Sequence, residues 1–353
     1  MKKRKLILCI GMILTATLMI SAQKTTHERL DSLFDALAAG NKAMGSICIS
    51  QSGKVIYQRT IGYSVIDGKT KEPANENTRY RVASITKMFT ATIIHQLIHE
   101  GKIEFETTLD EYFKGLPGAA NITIAMMMSH RSGLHNIFDD PDFSNWKTIK
   151  KTEDEVVAMI GKNPLDFAPD SKASYSNSNY ILLGYIIEQI CHKPYAEVVH
   201  DRIISKIGLK NTYYGDKTNL SKGECYSYVY ANDWVKQPEA DMSILGGAGA
   251  LVSTPSDMNK FIEALYAHRL CKAKYITKMQ EIKDGYGMAM MPYSYGAHVA
   301  YGHPGGIDGF NSVLEYFPDD EITICYCSNG QYYNMSDIID PALSIVFDNP
   351  LGN

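Results

Sequence analysis

Ser84 and Lys87 stand three residues apart in "RVASITKMFTATIIHQLIHEG", residues 81–101, and Lys87 is the only formal charge between Arg81 and Glu100. From Ile85 to Ile98 the stretch is mostly apolar. An ammonium buried there is costly, and it escapes the cost by a lowered pKa or a specific partner. The spacing sets both side chains on one helical face, about one turn apart. Arg81 and Val82 read as extended chain, so Ser84 falls in the first turn of a helix ending at Gly101. Backbone N–H groups point outward there, and the helix dipole favours negative charge. A lysine held neutral by apolar surroundings can take the serine's proton, which makes the pair an activated nucleophile. Ser144 and Lys147 in "FSNWK" share the spacing but follow "DDPD", with no apolar helix to desolvate the lysine.

Two further segments could complete a site. "ASYSNSNYILLGYII" sets Tyr175, Ser176 and Asn177 in a polar turn before an apolar helix, where side chains can reach into a cleft. "YGHPGGIDGF" sets His303, Pro304, Gly305 and Gly306 at the end of a β-run, and the glycines allow a substrate backbone against the strand and leave N–H groups for an oxyanion. With these, Ser-x-x-Lys, Tyr-x-Asn and Lys/His-x-Gly occur in the order of the serine β-lactamase and penicillin-binding-protein superfamily. Tyr175 follows Ser84 by 91 residues and His303 follows Tyr175 by 128. The sequence resembles the class-C-like branch of that superfamily, which includes D,D-carboxypeptidases, D-aminopeptidases and esterases. "MMMSHRSGLHN" and "GGAGALVSTPSDMNKFI" extend the resemblance over nearly all of the chain after its first residues.

The resemblance implies a role for each residue. Ser84 is the acylated nucleophile and Lys87 its base partner. Tyr175, ionised or sharing a proton with Lys87, serves as base in acylation and deacylation. Asn177 orients the substrate amide, and the N–H groups of Ser84 and Gly306 form the oxyanion hole beside Gly305. His303 takes the place of a lysine, so a fixed positive charge becomes one lost above a pKa of about 6.5. That weakens the grip on a carboxylate, and it predicts a KM for anionic substrates that rises through that pH range. The expected activity is hydrolysis through a Ser84 acyl-enzyme of an amide or ester, foremost a D-amino-acid-containing peptide of the peptidoglycan type. Carboxylesterase, β-lactamase and a catalytically silent cell-wall-binding module are the alternatives. No metal or organic cofactor is expected, and the partner is a small-molecule or peptide substrate.

The elements that must position these residues follow from the pattern along the chain. After a helix near "THERLDSLFDALAAG", the runs "MGSICIS" and "KVIYQRTIGYSVI" flank the turn "QSGK" and read as a hairpin. The middle is mainly helical, with Thr152 and Glu155 placed as a capping box. "AHVAYGHPGG", "NSVLEYFP" and "EITICYCSN" return to strands before a closing helix near "SDIIDPALSIVF". The expected class is α+β: an antiparallel sheet from both ends of the chain, flanked by helices, with an inserted helical lobe. The sheet lobe spans about 23–83 and 245–353, and the helical lobe about 84–244. The site would lie in the cleft between them.

Composition narrows the rest. The 353 residues are 45% hydrophobic and 21% charged, ordinary for a globular protein. Lys2, Lys3, Arg4 and Lys5 precede an apolar run from Leu6 to Ile20 and then Ser21 and Ala22, the layout of a signal peptide over residues 1–22. That predicts a periplasmic or secreted bacterial protein, touching the membrane only through this segment if it is uncleaved. Its removal takes away four positive charges and no negative ones, so the formal charge falls from −4 to −8. Such a chain is a poor nucleic-acid binder. Six cysteines remain beyond Cys9, without CxxC or metal-finger spacing, and read as core thiols. His95 and His99 have a zinc-compatible spacing, but Gln96 stands where a metalloprotease needs glutamate, so they read as packing residues. His130 and His135 read as parts of a structural turn, and "GGAGAL" as a glycine-rich turn. No Gly-x-Ser-x-Gly elbow is present.

Overall fold

The computed structural model describes residues 25–348, and the signal-like segment 1–22 lies outside the described residues. Helix α1 (Thr26–Ala39) opens with a capping box in which Thr25 and Glu28 satisfy each other's backbone N–H. Strands β1 (Ala43–Gln51) and β2 (Lys54–Ile61) follow as a hairpin, with Gln51 opposite Lys54. Ser52 and Gly53 make its two-residue turn, at φ 48° and 76°, the left-handed pair that matches the twist of the flanking strands.

The middle of the chain contributes α2 (Thr86–His99), α3 (Asn177–Cys191) and α4 (Met242–Gly249), with short helices between them. The expected capping box at Thr152 and Glu155 starts one of these, Glu153–Lys162. Helix α5 (Pro255–Tyr266) leads back to β3 (Met291–Tyr295), β4 (His298–Ile307), β5 (Phe310–Phe317) and β6 (Ile322–Gln331), and α6 (Ser336–Asp348) closes the fold. The sheet order is β3-β4-β5-β6-β1-β2, antiparallel throughout, so the first strand pairs with the last and Cys48 faces Cys325. The α+β class read from the sequence is the class observed.

Each face of the sheet carries a core. On one, Leu30 and Phe34 of α1 and Ile338 and Leu343 of α6 pack on Ile47, Ile49 and Phe317. On the other, α5 packs on β6 and β1, and its Phe261 stacks on Phe89 of α2 with ring centroids 3.7 Å apart. Each such side chain stabilises the fold by about 1.5–3 kcal/mol. Cys325 and Cys327 share this second face with sulfurs 3.8 Å apart, and the six described cysteines are free thiols.

Eleven residues of α2 are buried, Lys87 among them, because the helix is enclosed on every side. It ends at Glu100, followed by Gly101 in the left-handed conformation at φ 69°. Helices α3 and α4 meet at Gly184 and Gly247, where a Cβ on Gly247 would lie 3.0 Å from Gly184 Cα and 2.7 Å from Tyr180 O. Only glycine permits that approach, and the approach sets the carbonyl of Ala248 beside Lys87.

Candidate active site

Ser84 lies in the 3₁₀ turn Ala83–Ile85 that leads into α2, as the sequence predicts. Ala83, just before it, holds a left-handed φ of 47°, a strained conformation for a residue with a side chain. The Lys87 side chain is wholly buried, one turn further on. Its Nζ stands 3.0 Å from Ser84 Oγ, 2.8 Å from Asn177 Oδ1 and 2.8 Å from Ala248 O. The last two atoms can only accept, so they take two N–H bonds. A neutral amine has two hydrogens and one lone pair, and the lone pair is left facing Ser84. Burial pushes the Lys87 pKa well below 10.5, with no carboxylate nearby to restore it. Three such contacts would also suit an ammonium's three hydrogens; burial, which disfavours the charged form, selects the neutral amine, and the neutral amine is positioned to receive the serine's proton.

Tyr175 donates its hydroxyl to Ser84 Oγ at 2.8 Å. Burial raises the phenol far above 10.0, and the hydrogen bond to Ser84 only partly offsets this. Of the two states the sequence left open, ionised or sharing a proton with Lys87, the ionised one is not the resting state: burial keeps the proton on the phenol. Asn177, first residue of α3, is fixed by Asn136, whose Oδ1 accepts from both its backbone N–H (3.0 Å) and its amide (3.2 Å).

His303 lies on β4 against the Tyr175 ring, centroids 6.0 Å apart. Its Nδ1 donates to Pro304 O at 2.5 Å, which leaves Nε2 as a buried acceptor without a partner. Burial, the larger cause, lowers its pKa from 6.5 to about 3, and any positive charge on Lys87 would act in the same direction. This corrects the sequence expectation of a charge that switches near 6.5 and of a KM that follows it. His303 stays neutral across the physiological range because its ring is buried at the cavity wall.

Gly305 packs against the nucleophile turn so closely that a Cβ would come within 3.2 Å of Ser84 N and nearer still to Val82 O. A Cβ on Gly306 would meet only Asn311 Oδ1, at 3.8 Å, because this residue faces the cavity. That cavity has a volume of about 460 Å³. Ser84, Tyr175, Asn177, His303, Gly305 and Gly306 all line it, and Phe138, Leu245, Met291 and Ile307 give it an apolar wall. No lysine, arginine, aspartate or glutamate lines it among the described residues.

The structure thus brings together all seven residues singled out by the sequence, and it adds others. His130, read as part of a structural turn, packs its ring 4.4 Å from that of Tyr175, and its Nδ1 accepts the Ser176 N–H at 3.2 Å. Asn136, Tyr286 and the Ala248 carbonyl carried no sequence signal of their own, although the glycines around Ala248 marked a close approach. The decoy pair is apart from the site: Lys147 is bound to Asp308 at 2.7 Å.

Comparison with known proteins shows the family and the fold. Penicillin-binding protein 4* of Bacillus subtilis (strain 168) is 26% identical over 88% of this chain and 73% of its own. Teichoic acid D-alanine hydrolase of Staphylococcus aureus is 27% identical over 65% of this chain, and the match spans just over half of that relative, 56%. Among solved structures, D-amino acid amidase from Ochrobactrum anthropi SV3 superposes with a TM-score of 0.79 at 24% identity, over 91% of this chain and 98% of its own. Penicillin binding protein from Bacillus halodurans superposes with a TM-score of 0.78 at 22% identity, over 90% and 98%. The family model described as Beta-lactamase matches residues 30–346, and the chain belongs to that family of serine hydrolases.

Proposed function

We propose that this protein hydrolyses an amide or ester of a D-amino acid through an acyl-enzyme on Ser84, with a substrate that carries no carboxylate beside His303. The observation that carries the reading is the full burial of Lys87 beside Ser84 Oγ: burial favours the neutral amine, and with Asn177 Oδ1 and Ala248 O taking its two hydrogens its lone pair is left for Ser84. The substrate carbonyl enters the cavity with its oxygen toward the N–H groups of Ser84 and Gly306. Ser84 Oγ attacks the carbonyl carbon as its proton passes to Lys87, and the resulting ammonium is held by Asn177 Oδ1 and Ala248 O. When the tetrahedral intermediate collapses, the bond to the leaving nitrogen or oxygen breaks. Tyr175 gives that atom its phenol proton and is reprotonated from Lys87. Water then attacks the acyl-Ser84 ester, its proton goes to the same pair, and Ser84 Oγ takes a proton back as the acid leaves.

The named activities of the relatives, on D-alanine and D-amino acid amides, support the D-aminoacyl class. The uncharged cavity, with a neutral His303 in place of lysine, ranks a β-lactamase lower, since β-lactams present a carboxylate. The signal-like residues 1–22 support action in the cell envelope.

Mass spectrometry after exposure to a fluorophosphonate tests the nucleophile, and hydrolysis of paired D- and L-alanine p-nitroanilides tests the substrate class. A label on Ser84, absent in Ser84→Ala and retained in Ser144→Ala, is the expected outcome, with faster turnover of the D-isomer. A label that survives Ser84→Ala would refute the mechanism, and preference for the L-isomer would refute the substrate.

A further inference from the structure

A second cavity, of about 420 Å³, opens near the other end of the nucleophile helix. His95 lines it, eight residues beyond Lys87 and so about 12 Å along the axis. The imidazole is fully buried, packed against the rings of Phe105 and Tyr275 with centroids 5.7 and 5.3 Å away. Its Nδ1 lies 2.7 Å from Ala91 O, which can only accept, so Nδ1 carries the proton. Nε2 therefore presents a lone pair, buried and without a partner. Burial lowers the pKa to about 4, so the ring cannot relieve this by protonating near neutrality. A buried acceptor left unmatched costs about 1–3 kcal/mol. Among the described residues no group of three or more His, Cys, Asp or Glu could hold a metal ion, so the lone pair calls for an N–H or O–H donor.

The rim has the opposite character. Lys206, Arg269 and Lys272 line the cavity, and no ion pair engages them among the described residues. Of the two carboxylates present, Glu100 is held by Arg202 at 2.7 Å and Asp201 by Lys193 at 2.8 Å. Counting Arg202, four cations thus face two carboxylates already engaged, on a chain whose net charge is −4. Asp201 and Arg202 project from a π-helical turn, His200–Ile204, a wide-turn geometry that recurs at functional sites.

We propose that this cavity binds a small phosphorylated polyol. A hydroxyl at the inner end donates to His95 Nε2, and the phosphate at the outer end meets Lys206, Arg269 and Lys272. A phosphate monoester, with close to two negative charges at neutral pH, matches a rim of three unengaged cations better than a single carboxylate.

Isothermal titration of the protein with glycerol 3-phosphate, glycerol and inorganic phosphate tests both ends. Glycerol 3-phosphate should bind at least tenfold more tightly than either fragment. His95→Phe should reduce it to the affinity of phosphate, and His95→Gln, which restores an acceptor, should recover part of the loss. Lys206→Glu/Lys272→Glu should abolish binding while neutral-ester hydrolysis at Ser84 and thermal unfolding remain those of the wild type. If His95→Phe does not fold, the comparison of the three ligands and the double charge reversal still decide. Glycerol 3-phosphate binding no tighter than phosphate, or binding that survives the charge reversal, overturns the assignment.

Discussion

Replacing Lys87 by methionine isolates the charge state on which the site depends. In the unfolded chain this lysine titrates near 10.5, and burial lowers it well below that in the folded state. Between the two values the unfolded chain binds one more proton here than the folded one. Wild-type stability therefore rises with pH by 2.3RT, about 1.4 kcal/mol per pH unit. Above 10.5 both states are neutral and there is no penalty; below the folded value the penalty is complete and constant. Lys87→Met abolishes this dependence. It also strips Asn177 Oδ1 and Ala248 O of a donor, a pH-independent cost of about 1–3 kcal/mol for each acceptor. The sign of the change at a single pH mixes the two effects, whereas its slope does not. Wherever the pH lies between the folded-state pKa and 10.5, the stability of the wild type minus that of Lys87→Met should climb by about 1.4 kcal/mol per pH unit. Urea unfolding at pH 7, 8 and 9, with the two proteins sharing one m-value, measures it. Parallel profiles would mean that Lys87 folds as an ammonium, and another group would then have to take the serine's proton.

Four further perturbations separate roles within the site. Lys87→Arg should be as inactive as Lys87→Met, since a guanidinium keeps its proton at neutral pH; an active arginine variant would reduce the lysine to an electrostatic aid. Tyr175→Phe should lose on the order of 10²-fold or more in kcat/KM on an amide and much less on a p-nitrophenyl ester, whose leaving group needs no acid. Equal losses on both would return Tyr175 to the role of base. Because His303 titrates near 3, the kcat/KM ratio for a matched neutral and anionic substrate pair should stay flat from pH 5.5 to 8.5, with the neutral one preferred; an inflection in that ratio, lost in His303→Gln, would mean that the imidazole is reached by solvent. Gly306→Ala should fold normally, since a Cβ there meets only Asn311 Oδ1 at 3.8 Å, yet lose turnover by narrowing the cavity. Unchanged kinetics would place the substrate elsewhere.

Apart from what the family resemblance implied, what could be read in the sequence was local. The Ser84–Lys87 spacing, the apolar run around it, the capping box at Thr152 and Glu155 and the hairpin turn at Ser52 and Gly53 each depend on residues a few positions apart, and each appears as expected. What could not be read was set by contacts across the chain. The charge on His303 is decided by its burial, against residues as distant in sequence as Tyr175. Tyr175 is a neutral donor because burial keeps the proton on its phenol, and Lys87 carries no charge because α3 and α4 enclose it. The Ala248 carbonyl that completes the lysine's contacts has no side-chain signature; only Gly247, needed for the approach to Gly184, hinted at it. A pKa taken from a model compound was the step that failed, since model values describe solvated groups and these are sealed from water.

Holding Ser84 opposite Gly306 is the harder structural task, because 222 positions separate them and an oxyanion site tolerates only about 0.5 Å of error. Two buried charges lie just outside that pair: Arg81, three residues before Ser84, and Asp308, two after Gly306, with side chains 2% and 1% exposed. Their nearest atoms are 3.8 Å apart, and shared partners join them further. Arg81 donates to Ala240 O at 2.9 Å and to Glu239 at 2.8 Å, while Asp308 accepts from Ala240 N at 2.9 Å and from Lys147 at 2.7 Å. Such a network adds little net stability, since the desolvation of the ions offsets their attraction. It does fix position, because losing one partner strands a buried charge at a cost of about 3–5 kcal/mol. The left-handed Ala83 between Arg81 and Ser84 needs that constraint: an alanine at φ 47° relaxes unless both sides are held, and Val82 N–H, bonded to Leu251 O at 3.0 Å, secures the turn from α4's exit as well. The lysine that pairs with Asp308 from the other side is Lys147, so the second Ser-x-x-Lys spacing supplies not a nucleophile but a support for the first.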